Sequence, residues 1–175
     1  IPRELLPRSI RRAGVELDLA HAQRVGSPSA VLCAGQRIAL SAGFRRLVLL
    51  AAAFPETLAA EFEVDGVAAS RRVAGGFAPL GRFDELARGL FGRPTGGVVS
   101  GFLHSEPLAL AVPHRHDRRG RIDPCAPVQF FTVELEVSPR GSEVVLPRAG
   151  RLIVLAAMLT DAPSSAARPV AVSAS

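Results

Sequence analysis

The 175-residue sequence has no tryptophan and no tyrosine, and only two cysteines and one methionine. It has no lysine either, so all 21 of its basic side chains are arginine. Carbohydrate-binding sandwiches stack sugars on Trp or Tyr, which offer a flat apolar face with a polar handle. Here only Phe77, Phe83, Phe91 and Phe102 could take that role. The all-arginine basic set, beside abundant Ala, Gly and Pro, reads as coding bias from a GC-rich genome. The net charge of +5 invites nucleic acid, but binding would need basic residues gathered on one face beside stacking aromatics. The arginines are instead scattered in ones and twos, so a solvated basic surface is expected and no nucleic-acid partner. Cys33 and Cys125 show no metal-binding spacing; two free, partly buried thiols are expected unless the fold brings them together. No apolar run reaches the roughly 18 residues of a membrane span, so no membrane partner is expected. The start at Ile1 and the single Met158 lead us to expect a fragment or processed product. With no signal-peptide pattern at that start, the compartment stays open between cytoplasmic and exported.

What is present is strand after strand. Residues Ile1–Arg12 read as a lead-in, followed by Val15, Leu17 and Leu19 alternating with Glu16 and Asp18, the period-two pattern of a half-buried strand. His21–Ser29 reads as a polar loop. Ala30–Ala34 and Gln36–Leu40 are short strands parted at Gly35. Arg45–Phe54 is apolar on both faces, and Gly43 before it and Pro55 after it favour a central strand over a buried helix. Ala60, Phe62 and Val64 alternate with Glu61, Glu63 and Asp65; Asp65-Gly66 then supplies a hairpin turn into Val67–Val73.

From Ala74 to Gly101 glycines and prolines break the pattern, and only Phe83–Phe91 has helical spacing. A long irregular loop over 74–104 is predicted, with a helical turn or two. Strand character returns at Glu106–His116, at Phe131–Val137, at Glu143–Leu146 and at Arg151–Thr160. The Ala/Ser/Pro-rich residues 162–175 read as a disordered tail. Short strands between turn signals, with little helix, predict a mainly β chain: one antiparallel β-sandwich domain over 1–161.

The sharpest polar cluster is His114-Arg-His116-Asp117. Residues two apart on a strand project from one face, so both imidazoles could meet one ligand. A metal site would need a third ligand, from His104 or a distant loop. The favoured reading is structural, with the histidines ending a strand and hydrogen-bonding to nearby loops, and no metal site is assigned. Glu61, Glu63, Glu134 and Glu136 read as solvated outer-face carboxylates, not as a glycosidase pair. No serine lies in a nucleophile-elbow pattern and no cysteine in a catalytic context. No catalytic residue is therefore assigned, and whether the chain is part of an enzyme is left to its relatives.

Several blocks resemble a known family. Gly35-Gln-Arg-Ile-Ala-Leu40, Gly43-Phe-Arg-Arg-Leu-Val-Leu-Leu-Ala-Ala52 and Phe62-Glu-Val-Asp-Gly66 are similar to the C-terminal β-domain of bacterial α-mannosidases of glycoside hydrolase family 38. Phe102–Leu108, Pro113–His116, Pro139-Arg-Gly141, Val145-Leu-Pro147 and Arg151–Ala156 follow in the same order, so the resemblance runs from about Leu6 to Leu159. It departs in the loop, where Arg82 and Phe83 replace the family's Gln and Trp and its Asp-Trp is gone, while Gly76-Phe77, Gly81 and Asp84 remain. The resemblance implies a non-catalytic domain that packs on the catalytic domain of the same polypeptide. His114, His116, Asp117, Phe77 and Phe83 are then candidates for its substrate rim. The family's zinc and nucleophile lie in a separate α/β and helical region, so no cofactor is expected in this chain. The alternative is a stand-alone β-sandwich module binding a mannose-containing glycan or a protein.

Overall fold

In a computed structural model of the chain the described residues are 3–12, 14–24, 29–76, 82–83, 98–99, 108–116, 119, 121–123 and 128–161. A 3-10 turn at Arg3–Leu5 leads to β1 (Ser9–Arg12) and β2 (Val15–Asp18), then to a one-turn helix, α1 (Ala20–Gln23). There follow β3 (Val31–Leu32), β4 (Arg37–Leu40), β5 (Arg46–Ala53), β6 (Leu58–Val64) and β7 (Val67–Val73). Next come β8 (Arg82–Phe83), β9 (Val98–Val99), β10 (Leu108–Val112), β11 (Arg115–His116) and β12 (Ile122–Asp123). The chain closes with β13 (Val128–Glu136), β14 (Ser142–Val145) and β15 (Leu152–Thr160).

Two antiparallel sheets carry the molecule: a five-stranded one in the order β10-β13-β5-β15-β3 and a four-stranded one in the order β4-β14-β6-β7. The predicted antiparallel β-sandwich with little helix is what forms. β5 explains the arrangement, because all eight of its residues are buried. Its odd positions, Leu47, Leu49, Ala51 and Ala53, pack with Phe62, Val73, Val144, Val133 and Leu135 between the two sheets. Its even positions, Val48, Leu50 and Ala52, pack on the opposite face with Leu6, Val15, Leu17, Leu19, Ala22 and Phe130. The amino-terminal hairpin and α1 thus form a third layer over the large sheet. Burying each Leu or Val of β5 contributes on the order of 1.5–3 kcal/mol.

β15 holds the other flank of β5 with a register shift between Val154 and Ala156. Before the shift Leu152 and Val154 face the inter-sheet core; after it Leu155 and Ala156 both face the amino-terminal layer. The extra residue of a β-bulge resets the alternation, so both halves of β15 keep an apolar side inward. At the other flank β5 and β13 diverge beyond the pair Phe131 and Ala51, and Ala74–Gly76 lies in the gap. There Ala53 N donates to Ala74 O (3.0 Å), Gly76 N to Ala53 O (2.8 Å) and Gln129 N to Gly76 O (2.9 Å). A Cβ on Gly76 would stand 2.5 Å from the Phe54 ring, so any larger residue here requires that ring to move.

The β6–β7 hairpin turns at Asp65 (φ 51°) and Gly66 (φ 81°), the two left-handed positions of a tight turn. Asp65 also fastens the turn to β14: its Oδ2 accepts from Ser142 Oγ (2.8 Å) and its Oδ1 from Glu143 N (2.8 Å).

Five expectations need correction. The lead-in contains β1, paired with β2 from Ser9 opposite Asp18 to Arg12 opposite Val15. The polar loop after Leu19 opens with α1, whose first amide, Ala20 N, is held by Asp18 Oδ1 at 2.8 Å. The strand predicted over Glu106–His116 stops at Val112, since Pro113 has no N–H to continue a ladder. Glu134 is not a solvated carboxylate: it pairs with the buried Arg46 guanidinium, and its carbonyl accepts from Arg71 Nε at 2.9 Å. Within the long loop, β8 and β9 form a short ladder, so Phe83 lies in a strand. The remainder of the helical spacing over Phe83–Phe91 and the 162–175 tail lie outside the described residues.

The Arg46–Glu134 pair is partly buried, the guanidinium more deeply than the carboxylate, so removing Glu134 takes a charged acceptor from a buried cation. Glu134→Ala is expected to cost roughly 1.5–3 kcal/mol, the worth of a hydrogen bond to a charged group, whereas Glu143→Ala, which breaks the exposed pair with Arg37, should cost under about 1 kcal/mol. Urea unfolding of the two variants measures the difference.

Candidate functional site

β10 lies at one edge of the five-stranded sheet, and the chain bends at Pro113 as it leaves. β11 then pairs with β12, His116 opposite Ile122. The intervening extended backbone puts His114 and His116 on one side, with ring centroids 5.7 Å apart and planes inclined at 32°. A third side chain arrives from the start of the chain. Glu4 sits in the 3-10 turn, which is held by Leu6 N to Arg3 O (3.1 Å) and by the Arg3 guanidinium on Arg24 O. Gln23 Nε2 donates to Leu6 O (2.6 Å), and the Leu6 side chain is buried in the core.

Glu4 Oε1 lies 3.4 Å from His116 Nε2. Each of Glu4, His114 and His116 places one ligand atom within 4.8 Å of those of the other two. His116 and Glu4 are open to solvent, whereas Nε2 of the half-buried His114 is shut off from water and makes no hydrogen bond. The cluster is therefore a set of two imidazoles and a carboxylate, one ring nitrogen lacking a partner.

The structure thus brings His114 and His116 together, as their spacing predicts. Phe83 lies in β8, paired with Val98. Asp117, Phe77 and His104 lie outside the described residues. Glu4 escaped the sequence reading, and no local pattern marks it: only the packing of Leu6 and α1 carries it to the histidines. The other described histidine, His21, is separate, its Nε2 3.0 Å from Leu155 O.

A second polar feature lies on the outer side of the four-stranded sheet. β14 follows β6 only as far as Val145 opposite Glu63; Leu146 N then turns away to donate to Gln36 O at 2.9 Å. The gap is a shallow groove of about 280 Å³ lined by Glu61, Glu63, Ala68, Val145, Pro147 and Arg148. It offers two carboxylates and a guanidinium but no ring to stack on, since Phe62 beneath it is fully buried.

Nucleophilic chemistry finds no support among the described residues. Cys33 carries a free thiol, fully buried, and burial pushes its pKa up to about 11. It is a protonated core side chain, not a thiolate. Ser142 Oγ is committed to Asp65 and to the amide of Ser138 (2.7 Å), which is a turn clamp with no imidazole. No helix among the described residues is long and apolar enough to cross a membrane.

Fold and site together define a β-sandwich domain with polar clusters at its edges and no Ser–His or Cys–His pair among the described residues. The family model of the AziU2-like beta-sandwich domain matches residues 1–163, and the chain belongs to that family. No curated protein matches the chain.

The raised pKa of Cys33 has a testable sign. The unfolded thiol loses its proton first, near its ordinary value of 9.0, while the folded thiol keeps it to about 11. Stability is thus unaffected by Cys33 below about pH 9 and falls between about pH 9 and 11, as the unfolded state comes to bind fewer protons. Cys33→Ala should abolish that part of the decline in urea midpoints measured across this range.

Proposed function

We propose that the chain is a non-catalytic β-sandwich domain of an α-mannosidase-like glycoside hydrolase, packing on the catalytic domain of the same polypeptide. The observation that carries this reading is the ordered run of mannosidase-like blocks, which fall on β4, β5, β6, β11 and β15. In such an arrangement the zinc and the nucleophile belong to the catalytic domain, and this chain supplies surface.

Two surfaces support the assignment. β3 ends the five-stranded sheet with Val31 and Leu32 about half exposed, at 47% and 51%. An apolar edge strand is an aggregation hazard unless another element covers it. The catalytic domain covers it in this reading. At the opposite edge the turn after β10 presents His114 and His116, and with Asp117, Phe77 and Phe83 they would contribute to the substrate rim. The two edges are four strand spacings apart, roughly 20 Å at about 4.8 Å each, a distance one catalytic domain spans.

The coding sequence on either side of the chain tests the reading. A zinc-dependent catalytic domain of the mannosidase type is expected there, and its absence overturns the proposal. With that domain in hand, the double variant Val31→Asp, Leu32→Asp should weaken association by about tenfold or more, corresponding to about 1.4 kcal/mol, as read by calorimetry.

The groove at Glu61, Glu63 and Arg148 favours one second reading: a stand-alone module that holds a mannose-containing glycan through its hydroxyls. Titrating the isolated chain with mannobiose checks it. Binding abolished by Arg148→Ala supports the module, and the absence of binding at millimolar sugar removes it.

A further inference from the structure

We propose that Glu4, His114 and His116 form a binding site for one divalent transition-metal ion of the zinc class. The site is independent of the assignment to a glycosidase and of any zinc in a catalytic domain.

The donor set points to this class. Two imidazole nitrogens and one carboxylate oxygen suit Zn²⁺ and its neighbours Co²⁺ and Ni²⁺, whereas Ca²⁺ and Mg²⁺ take all-oxygen cages. The geometry agrees where it is closest. In a tetrahedral site with metal–ligand bonds of about 2.0–2.1 Å, neighbouring ligand atoms stand about 3.3 Å apart. The 3.4 Å between Glu4 Oε1 and His116 Nε2 matches that edge. All three ligand atoms already lie within 4.8 Å of one another. The remaining closure falls to Glu4, whose side chain is 61% exposed and free to swing.

An ordinary ion pair between Glu4 and His116 would leave His114 unexplained. Its Nε2 is buried without a hydrogen bond, a condition that polar groups in folded proteins avoid. The two rings also stand side by side at 5.7 Å, an arrangement that a cation between their nitrogens would use. Three protein ligands leave a fourth position for water or an exogenous ligand. Bound metal would also tie the 3-10 turn at Arg3–Leu5 to the turn after β10, joining segments far apart in sequence. It should therefore stabilise the amino-terminal layer against unfolding.

The test uses the tag-free full chain, stripped with EDTA and titrated with Zn²⁺ by calorimetry, with Co²⁺ absorption as the spectroscopic readout. Expected are one ion per chain, visible d–d bands from Co²⁺, and a rise in the unfolding temperature. Glu4→Gln and His116→Ala should each weaken binding by at least the roughly tenfold that losing an outer-shell partner alone costs. Both positions are partly exposed, and far-UV circular dichroism verifies that each variant is folded. His21→Gln should leave binding unchanged. The proposal is overturned if the stripped chain takes up no ion at millimolar Zn²⁺. It is equally overturned if affinity is the same in Glu4→Gln and His116→Ala as in the parent, or if binding depends on His21.

Discussion

No face of β5 tolerates water, and the architecture follows from that constraint. A strand apolar on one face needs a single covering layer; one apolar on both needs two. The four-stranded sheet meets the side carrying Leu47 and Leu49. The second cover comes from the beginning of the chain, where Leu6, Val15, Leu17 and Leu19 close over Val48 and Leu50. β15 flanks β5 along its whole length, and β13 flanks it from Arg46 to Ala51, with Ala74–Gly76 taking over beside Ala53. The β15 bulge is a local consequence, keeping a long strand inward-facing on both sides of a change in register.

The parts of this fold that rest on local pattern were legible in the sequence. β5 showed in its unbroken apolar run, and the β6–β7 hairpin in the alternation around Phe62 and in Asp65-Gly66. Features created by packing were not. Ser9–Arg12 carries three polar residues around Ile10 and has no strand signature; it becomes β1 because β2 offers it a partner. Glu134 sits in a polar slot of an alternating strand and reads as solvated, yet Arg46 across the sheet draws it into a partly buried pair. The candidate site divides along the same line. His114 and His116 are linked by strand geometry that sequence spacing states directly. Glu4 joins them only through the seating of Leu6 in the core and the bond from Gln23, which no window of sequence contains.

The functional reading has a similar structure. Membership of the AziU2-like β-sandwich family covers the scaffold, and the mannosidase-like blocks fall on scaffold strands too. The features able to carry specificity lie at the margins: the exposed edge at Val31 and Leu32, the groove beside Arg148, and the turn where Glu4 meets the histidines. A rigid two-sheet frame positions these margins without committing any of them to one chemistry.

The wedge of Ala74–Gly76 between β5 and β13 bears on how such a domain can diversify. Of the connection between Gly76 and Leu108, the first residue is bonded to Gln129 and the last lies opposite Phe131. Both ends of this stretch are thus pinned to neighbouring positions of one strand, on its two sides. For a segment whose ends are already fastened, each doubling in length costs only about 0.6 kcal/mol in closure entropy. By that scaling, a change in the number of residues between the two anchors carries a small entropic cost. Gly76, where a Cβ would press on the Phe54 ring, is then the anchor from which that connection departs.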